Sequence, residues 1–485
     1  MKNSIHQFAE EGVKRLSKVF EKYTEDLTKI AEMVSGVTDE VVNLGVSLIA
    51  EEWESYDELL RKRSDLRKGW HIVRKDEVTR TTSLGDVTYS RTLFKNTATG
   101  NSCYLLDQLM ELEKHTRITE DAIARIFEEA AESSYRKGGK NASIVGANIT
   151  KETVMNKLHT LCFPPATIPK EKKTLQKLYI DADEDHVALQ YLVAKGDIKK
   201  PRHNTVMPYI VYVYEGIDTE EDGHPKLINP VYFGGLYEGS EGVKQLWDEV
   251  YAYIEGAFDI EALKRIYITG DGAAWIRSGA KYIRQAEFRL DKYHMHKYIK
   301  TATSHLEDSA EDARSEIYRA IHKKKKWMAE GVFDKILAVT ESESKRKAVE
   351  TSKAYILGNW TGILRSMKGA DKEIGCSAEG HVSHVYSDRM SSRPLGWCRT
   401  GADRMARLRI YRQNGGNMLD LVRYQKAEFE MAAGAEEVIL SAQDMIVAEN
   451  RNRNRLGEMA DLHIYSIPYP QIKKIAALKD HIWGL

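Results

Sequence analysis

Three acids alternate through one short stretch of this 485-residue chain: Asp181, Asp183 and Asp185 lie in LYIDADEDHVALQ, residues 178–190. The surrounding pattern predicts a long β-strand over 178–191. A strand's two-residue period sends the three carboxylates to one face, while Ile180, Ala182 and Glu184 take the other. Carboxylates set in an apolar strand are costly unless cations pair with them, so such a face calls for a cationic partner; a solvated edge or a capping cluster is the plainer alternative. A second acid, Asp271, follows the apolar run Ile266-Tyr267-Ile268-Thr269 and precedes Gly272 and a helical start. At a strand end an acid can face a ligand crevice, and glycine allows close backbone approach; an Asp that merely caps the next helix has the same local sequence. Glu379, in CSAEGHVSHV, is uninformative alone. Together, two Asp and one Glu from separate elements supply the hard oxygen ligands that two Mg2+ or Mn2+ ions, about 3.5–4 Å apart, need for in-line phosphoryl transfer. That chemistry needs no nucleophilic side chain, so the lack of a GxSxG elbow or a P-loop does not count against it.

The elements that must bring these acids together are legible from periodicity. Residues 175–294 hold strand patterns at 178–191, Tyr209–Glu215 and Val231–Gly235, a helical stretch from Val243 to Phe258, and a strand at Arg265–Thr269. That β-β-β-α-β order, opening with an antiparallel meander, is the skeleton of an RNase H-like α/β core. Residues 295–370 have a basic helical pattern and read as an insertion ahead of a second core segment, 371–415, which carries Glu379. Upstream, residues 1–66 show apolar positions at helical spacing. Residues 67–165 open with a small antiparallel sheet and end in ASIVGANITKETVMNKLHTL, 142–161, a helix-turn-helix-like stretch. In that motif Lys151, Thr153 and Asn156 open the second helix and are candidate DNA contacts; plain packing of two helices gives the same pattern. Phe163-Pro164-Pro165 and the lysine-rich run to Lys177 make the best linker, and 416–485 reads as a helical tail.

Composition sets bounds. Lys plus Arg and Asp plus Glu both total 72, so the net charge is zero and any nucleic-acid surface must come from local clustering. No stretch is expected to reach the roughly 18–20 apolar residues of a membrane span, and the N-terminus lacks the apolar run of a signal peptide, which predicts a cytoplasmic protein. Four widely spaced cysteines make no CxxC pair, against a zinc ribbon or disulfide framework. A carboxylate pair would also suit glycoside hydrolysis, but the chain is only 9% aromatic and has no tryptophan cluster around the acids.

Five blocks occur in order: LYIDADEDHVALQ (178–190), YITGDGAAWI (267–276), LDKYHMHKYI (290–299), YILGNWTGI (355–363) and SAEGHVSHVYSDRMSSRPLGW (377–397). On these the chain resembles the ISLre-type family of bacterial insertion-sequence transposases, distant relatives of the Mutator-like elements, over residues 1 to about 420. The resemblance implies a DDE transposase with an RNase H-like core, two Mg2+ or Mn2+ ions, and an N-terminal region that recognises terminal inverted repeats. It implies double-stranded DNA as partner and a homodimer or higher assembly on DNA, at the bacterial nucleoid. The family's catalytic and metal-binding acids carry over as Asp183, Asp271 and Glu379. Glu is common in that family at the position of Asp181, which favours Asp183 as the first ligand, although the same-face argument leaves both in play. The implied reaction is hydrolysis at each element end, then attack of the freed 3'-hydroxyl on target DNA. A non-catalytic DNA-binding protein derived from a transposase is the alternative.

Further residues have candidate supporting roles. His294, near His296 at a helix start, is read as orienting a metal-bound water or a phosphate, with a structural histidine as the alternative. His381 and His384 have zinc-like spacing but no third ligand. Arg389, Ser391, Ser392 and Arg393 suit gripping of phosphate oxygens, and Trp397 stacking on a flipped base; a surface Arg and a core Trp are the plain readings. Lys323, Lys324, Lys325 and Lys326, followed by Trp327, form a candidate DNA-backbone contact.

Overall fold

Alternating β-branched, aromatic and polar residues make strands of Trp70–Thr81 (β1) and Asp86–Asn96 (β2), and Ser102–Tyr104 (β3) extends the antiparallel ladder. Val87, Tyr89 and Phe94 of β2 join Leu59 and Leu60, from the end of the Ile30–Lys62 helix, in one small core. The computed structural model describes residues 3–112, 116–190, 204–218, 225–367, 375–393 and 395–433, with side chains as far as 426. They fall into two units. One comprises residues 3–126, 138–150 and the chain from 427; the other comprises 127–137 and 151–426. The helix-turn-helix-like stretch is therefore divided at Thr150, and most of the expected tail, including Asn450–Arg455, lies outside the described residues.

The first unit corrects one expectation. The Ile30–Lys62 helix does contain an 18-residue window, of mean hydropathy 1.3, long and apolar enough to cross a membrane by length and composition, and only 6% of it is buried. Gly36 and Gly45 interrupt its apolar pattern, and five of its acids, Glu51, Glu52, Glu54, Asp57 and Glu58, lie toward its C-terminal end.

The second unit is built on a five-stranded sheet: Lys177–Glu184 (β4), Tyr209–Tyr214 (β5), Val231–Gly235 (β6), Arg265–Gly270 (β7) and Ala286–Leu290 (β8), in the spatial order β6-β5-β4-β7-β8. The first three strands form the antiparallel meander, with Asp183 opposite Ile210 and Val231 opposite Val213. β7 and β8 then run parallel to β4, with Thr269 beside Asp181 and Leu290 beside Gly270. Ile180 and Ala182 face the core with Ile266, Ile268, and Leu246, Trp247 and Val250 of the Gly239–Ala257 helix, as the two-residue period requires.

β4 is shorter than its sequence pattern. It ends at Glu184, and Val187–Ala188 pairs separately with Thr205–Val206. Beyond Glu184 the Asp185 N–H still reaches the Pro208 carbonyl at 3.2 Å, and the His186 N–H then turns to the Asp185 carboxylate at 2.8 Å, as the Glu184 N–H does to Asp183 at 2.9 Å. After β8 the described residues as far as Ser366 are mainly helical, with helices at Lys292–Thr303, Ala310–His322, Lys326–Val339, Glu343–Gly358 and Trp360–Ser366. Ile299, Ile317, Phe333 and Ile356 from them join the sheet's own core.

Candidate active site

Because β4, β7 and β8 are parallel, their C-terminal ends emerge at one edge of the sheet, where ligand crevices form in α/β folds. β4 delivers Asp183, β7 runs into Asp271, and β8 runs into Asp291, which starts the Lys292–Thr303 helix and its His294. The Ala378–Val382 helix brings Glu379 to the same place. Asp183, Asp271, Asp291, His294, Cys376 and Glu379 line one cavity of about 220 Å³. Sequence segments almost two hundred residues apart thus meet around a single small space.

Asp183 is mostly buried, and its carboxyl is pushed up to about 7, first by burial and then by the like charge of Asp271, against the pull of His294. Asp271 serves two functions: its Oδ1 accepts from the Ala273 N–H at 2.8 Å, starting the next helix, while the residue lines the cavity. Gly272 takes φ +89°, and a Cβ there would lie 2.7 Å from Asn359 Oδ1, so only glycine fits beside this acid. Tyr355 donates its hydroxyl to the Asp271 carbonyl.

His294 is held on both sides. Its Nδ1 lies 2.9 Å from Asp291 Oδ2 and its Nε2 lies 3.4 Å from Glu379 Oε1. The bond to Asp291 is the largest cause raising its pKa. Asp291 also accepts from the Tyr293 and His294 N–H groups as the helix cap, and its own N–H reaches the Gly270 carbonyl at 2.9 Å. Sequence reading missed Asp291. Its signal was an acid capping a helix three residues ahead of a histidine.

Asp181 and Asp183 have different surroundings. Asp181 is fully buried and accepts from Tyr212 at 3.0 Å, Tyr214 at 3.4 Å and the Ser377 N–H at 3.1 Å. Burial raises its pKa to about 6. It fastens the segment that leads into Glu379, whereas Asp183 lines the cavity. Asp185 accepts from the Ser391 hydroxyl at 2.7 Å.

Other expectations resolve differently. Arg389 is buried, not free to grip phosphate: its Nε donates to the Ala130 carbonyl at 3.0 Å and its guanidinium lies 4.9 Å from the Trp397 ring centroid. Trp397 is buried too, donating Nε1 to the Met390 carbonyl at 3.0 Å, so it is a core residue and not a base-stacking platform. Its backbone is tied down by Ala188 and Gln190, which seals it beneath the end of the strand region. Arg393 is exposed, and Ser392 donates to the Asp388 carbonyl. His381 lies 3.1 Å from the Tyr232 hydroxyl and His384 3.5 Å from Asp388, so the two histidines have separate partners. Lys323 to Lys326 are exposed on the turn between two helices, with Trp327 69% exposed beside them. Lys151 and Asn156 are exposed and Thr153 half-buried on the Lys151–His159 helix.

The donor set suits a divalent cation: three carboxylates, two of them repelling each other in a partly buried site, are relieved by positive charge and offer hard oxygen ligands. As the side chains stand, no group of three or more His, Cys, Asp or Glu among the described residues is gathered tightly enough to hold an ion. Glu379 is the residue with room to adjust, its side chain being 54% exposed.

Similarity to known proteins agrees on one family. Proteins of Caldanaerobacter subterraneus subsp. tengcongensis named as UPF0236 proteins are 35% identical over 422 residues, 87% of this chain and 85% of the relative. A further UPF0236 protein, from the 3' region of vanSb in Streptococcus gallolyticus, is 23% identical and covers 80% of this chain and 85% of that one. Among solved structures, the Drosophila P element transposase strand transfer complex covers 67% of this chain and 85% of its own, at 11% identity and a TM-score of 0.23, a likeness too slight to transfer fold or function. The sequence profile of the uncharacterised protein family UPF0236 matches residues 23–428, and with relatives of this identity along most of its length the chain belongs to that family.

Proposed function

We propose that the chain is a DDE transposase, with an RNase H-like core that cuts and joins DNA at a site formed by Asp183, Asp271 and Glu379. The observation that carries this reading is the convergence of those three acids, from β4, β7 and the segment after the helical insertion, on one cavity. The β-β-β-α-β order of the sheet supports the RNase H-like assignment. The name of one relative, 35% identical, joins eleven locus designations within a single genome, a multiplicity that suits a mobile element.

Asp183, Asp271 and Glu379 would hold a pair of Mg2+ or Mn2+ ions. When bound, these supply activation of the attacking oxygen and neutralisation of charge at the scissile phosphate. The chain's own contributions are positional. Asp291 fixes the His294 ring, which holds a proton toward Glu379 and adds positive charge where phosphate oxygens gather. Asp181, through Ser377, anchors the segment that presents Glu379. Lys323 to Lys326 offer a basic surface for the DNA backbone.

The test is strand cleavage by the full chain on DNA that carries the sequences flanking its own reading frame, with Mg2+ or Mn2+. Cleavage is expected, with loss of roughly 10²-fold or more in Asp271→Ala and Glu379→Gln. Binding of that DNA without cleavage in any divalent metal would leave a non-catalytic DNA-binding protein and overturn the enzyme reading.

A further inference from the structure

The N-terminal helices pack as a hairpin, and among the described residues nothing covers one apolar flank of it. Val13–Glu25 and Ile30–Lys62 run antiparallel, with Arg15 paired to Glu40 at 2.8 Å and Val19 against Gly36, where a Cβ would lie 2.9 Å from the valine methyl. Gly12, Leu16, Val19 and Tyr23 turn inward on the first helix, and Met33, Gly36, Val37 and Glu40 on the second.

A second set of apolar residues does not turn inward. Val13, Phe20, Leu27, Ile30, Val34 and Val41 are each between 46% and 64% exposed. Val13 and Phe20 lie seven apart on the first helix and Val34 and Val41 seven apart on the second, the interval that keeps side chains on one stripe of a helix, while Leu27 lies in the turn between them. At about 100° per residue this stripe lies roughly a quarter-turn from the inward face on both helices. The second helix runs back along the first, so the two stripes come out on the same flank. The register set by Arg15–Glu40 and Val19–Gly36 arranges them in layers: Val13 beside Val41, Phe20 beside Val34, and Leu27 beside Ile30 at the turn.

We infer that this flank is the interface with a second copy of the chain, the two hairpins closing as a four-helix bundle. Six half-exposed side chains of this size offer on the order of 500 Å² per copy, about 1,000 Å² for the pair, which reaches the lower bound of a specific interface. A two-fold axis along the hairpin lays the first helix of each copy antiparallel to the second helix of the other, a closed and self-complementary arrangement. Charge favours that pairing. The first helix carries an excess of Lys and Arg, whereas residues 30–60 hold eight acids and no base. An anionic lipid surface, the other apolar partner available, would be repelled by that acidic helix. The inference stands apart from the proposed chemistry, because it concerns the protein without DNA.

The test is sedimentation velocity of the full chain, free of DNA, at micromolar concentration, for the wild type, Phe20→Glu and Val34→Lys. The wild type is expected to be dimeric and each variant monomeric, with self-association weakened at least about tenfold. An equimolar mixture of the two variants is expected to recover the dimer, because Glu and Lys then meet in one layer; loss of folding cannot give that recovery. A monomeric wild type, variants that remain dimeric, or a mixture that stays monomeric would each overturn the inference. So would a monomeric wild type that co-sediments with phosphatidylserine vesicles and is released by Phe20→Glu, which would give the flank to a membrane.

Discussion

Asp291 Oδ2 stands 2.9 Å from His294 Nδ1, and this one contact turns the ring so that Nε2 faces Glu379 Oε1 at 3.4 Å. The aspartate also caps the helix that carries the histidine, so backbone and side chain fix the ring together. An oriented imidazole beside an acid that is half exposed supplies the rigid side of the site.

Asp291→Asn removes the charge that raises the His294 pKa while keeping the cap's hydrogen-bond acceptor. With the raising influence gone, the ring loses its proton at lower pH. Cleavage is expected to fall roughly 10–100-fold, with the alkaline limb of its pH profile displaced downward. A slower enzyme with the wild-type profile would reduce Asp291 to a helix cap.

Asp183 makes stability without metal depend on pH in an unusual direction. Its folded pKa, about 7, lies above the ordinary carboxylate value. The folded chain therefore binds this proton more tightly than the unfolded one, and the contribution to stability is full near pH 4 and lost as pH rises toward 7. In chelator at pH 8, Asp183→Asn is expected to melt above the wild type, and the gap should close near pH 4. Adding Mg2+ should raise the wild type and not the variant. A variant that melts below the wild type at pH 8 would mean that the charged carboxylate is already well compensated.

What the sequence disclosed, and what it could not, follows from the range of the interactions. The alternation at 178–185 was enough to place Asp181 and Asp183 on one face, because side-chain alternation is local. Which acid lines the cavity depended on Tyr212 and Ser377, the second almost two hundred residues away, which claim Asp181 as their acceptor. Asp271 reads alike as a cap and as a site residue, and it is both. Arg389 and Trp397 had the composition of a phosphate clamp, but their burial is set by Tyr135, Ala130 and the backbone of Ala188, none of which is near them in sequence. The end of β4 at Glu184 was concealed because the alternation runs on through Asp185 and Val187, while the cross-strand partner stops at Pro208 and the His186 N–H turns to the Asp185 carboxylate.

The two acids of β4 should separate by experiment. Asp181→Ala leaves the half-buried Ser377 N–H without its acceptor and the buried Tyr212 hydroxyl with the Ser377 hydroxyl at 2.6 Å as its remaining partner, a loss of roughly 1–3 kcal/mol that should lower stability in urea. Asp183→Ala relieves crowding with Asp271, so it should abolish cleavage with no loss of stability. Equal destabilisation by both substitutions would return the choice of first ligand to the open state in which the strand pattern left it.

The basic turn and the buried arginine make opposite predictions for DNA affinity. Lys323 to Lys326 are exposed and can displace counterions from a duplex, whereas Arg389 is engaged with Ala130 and Trp397. Replacing the four lysines with alanine should flatten the slope of log affinity against log salt by up to about 0.9 for each phosphate that is no longer neutralised, with the folded stability unchanged. Arg389→Ala should leave the slope intact and lower stability by about 1–3 kcal/mol, since it orphans a buried carbonyl and removes packing against two aromatic rings. Salt-titrated binding of the full chain, paired with urea denaturation of the same samples, reads both quantities. If the lysine variant kept the wild-type slope, the basic turn would be a solvated helix junction and the DNA path would have to run over another surface.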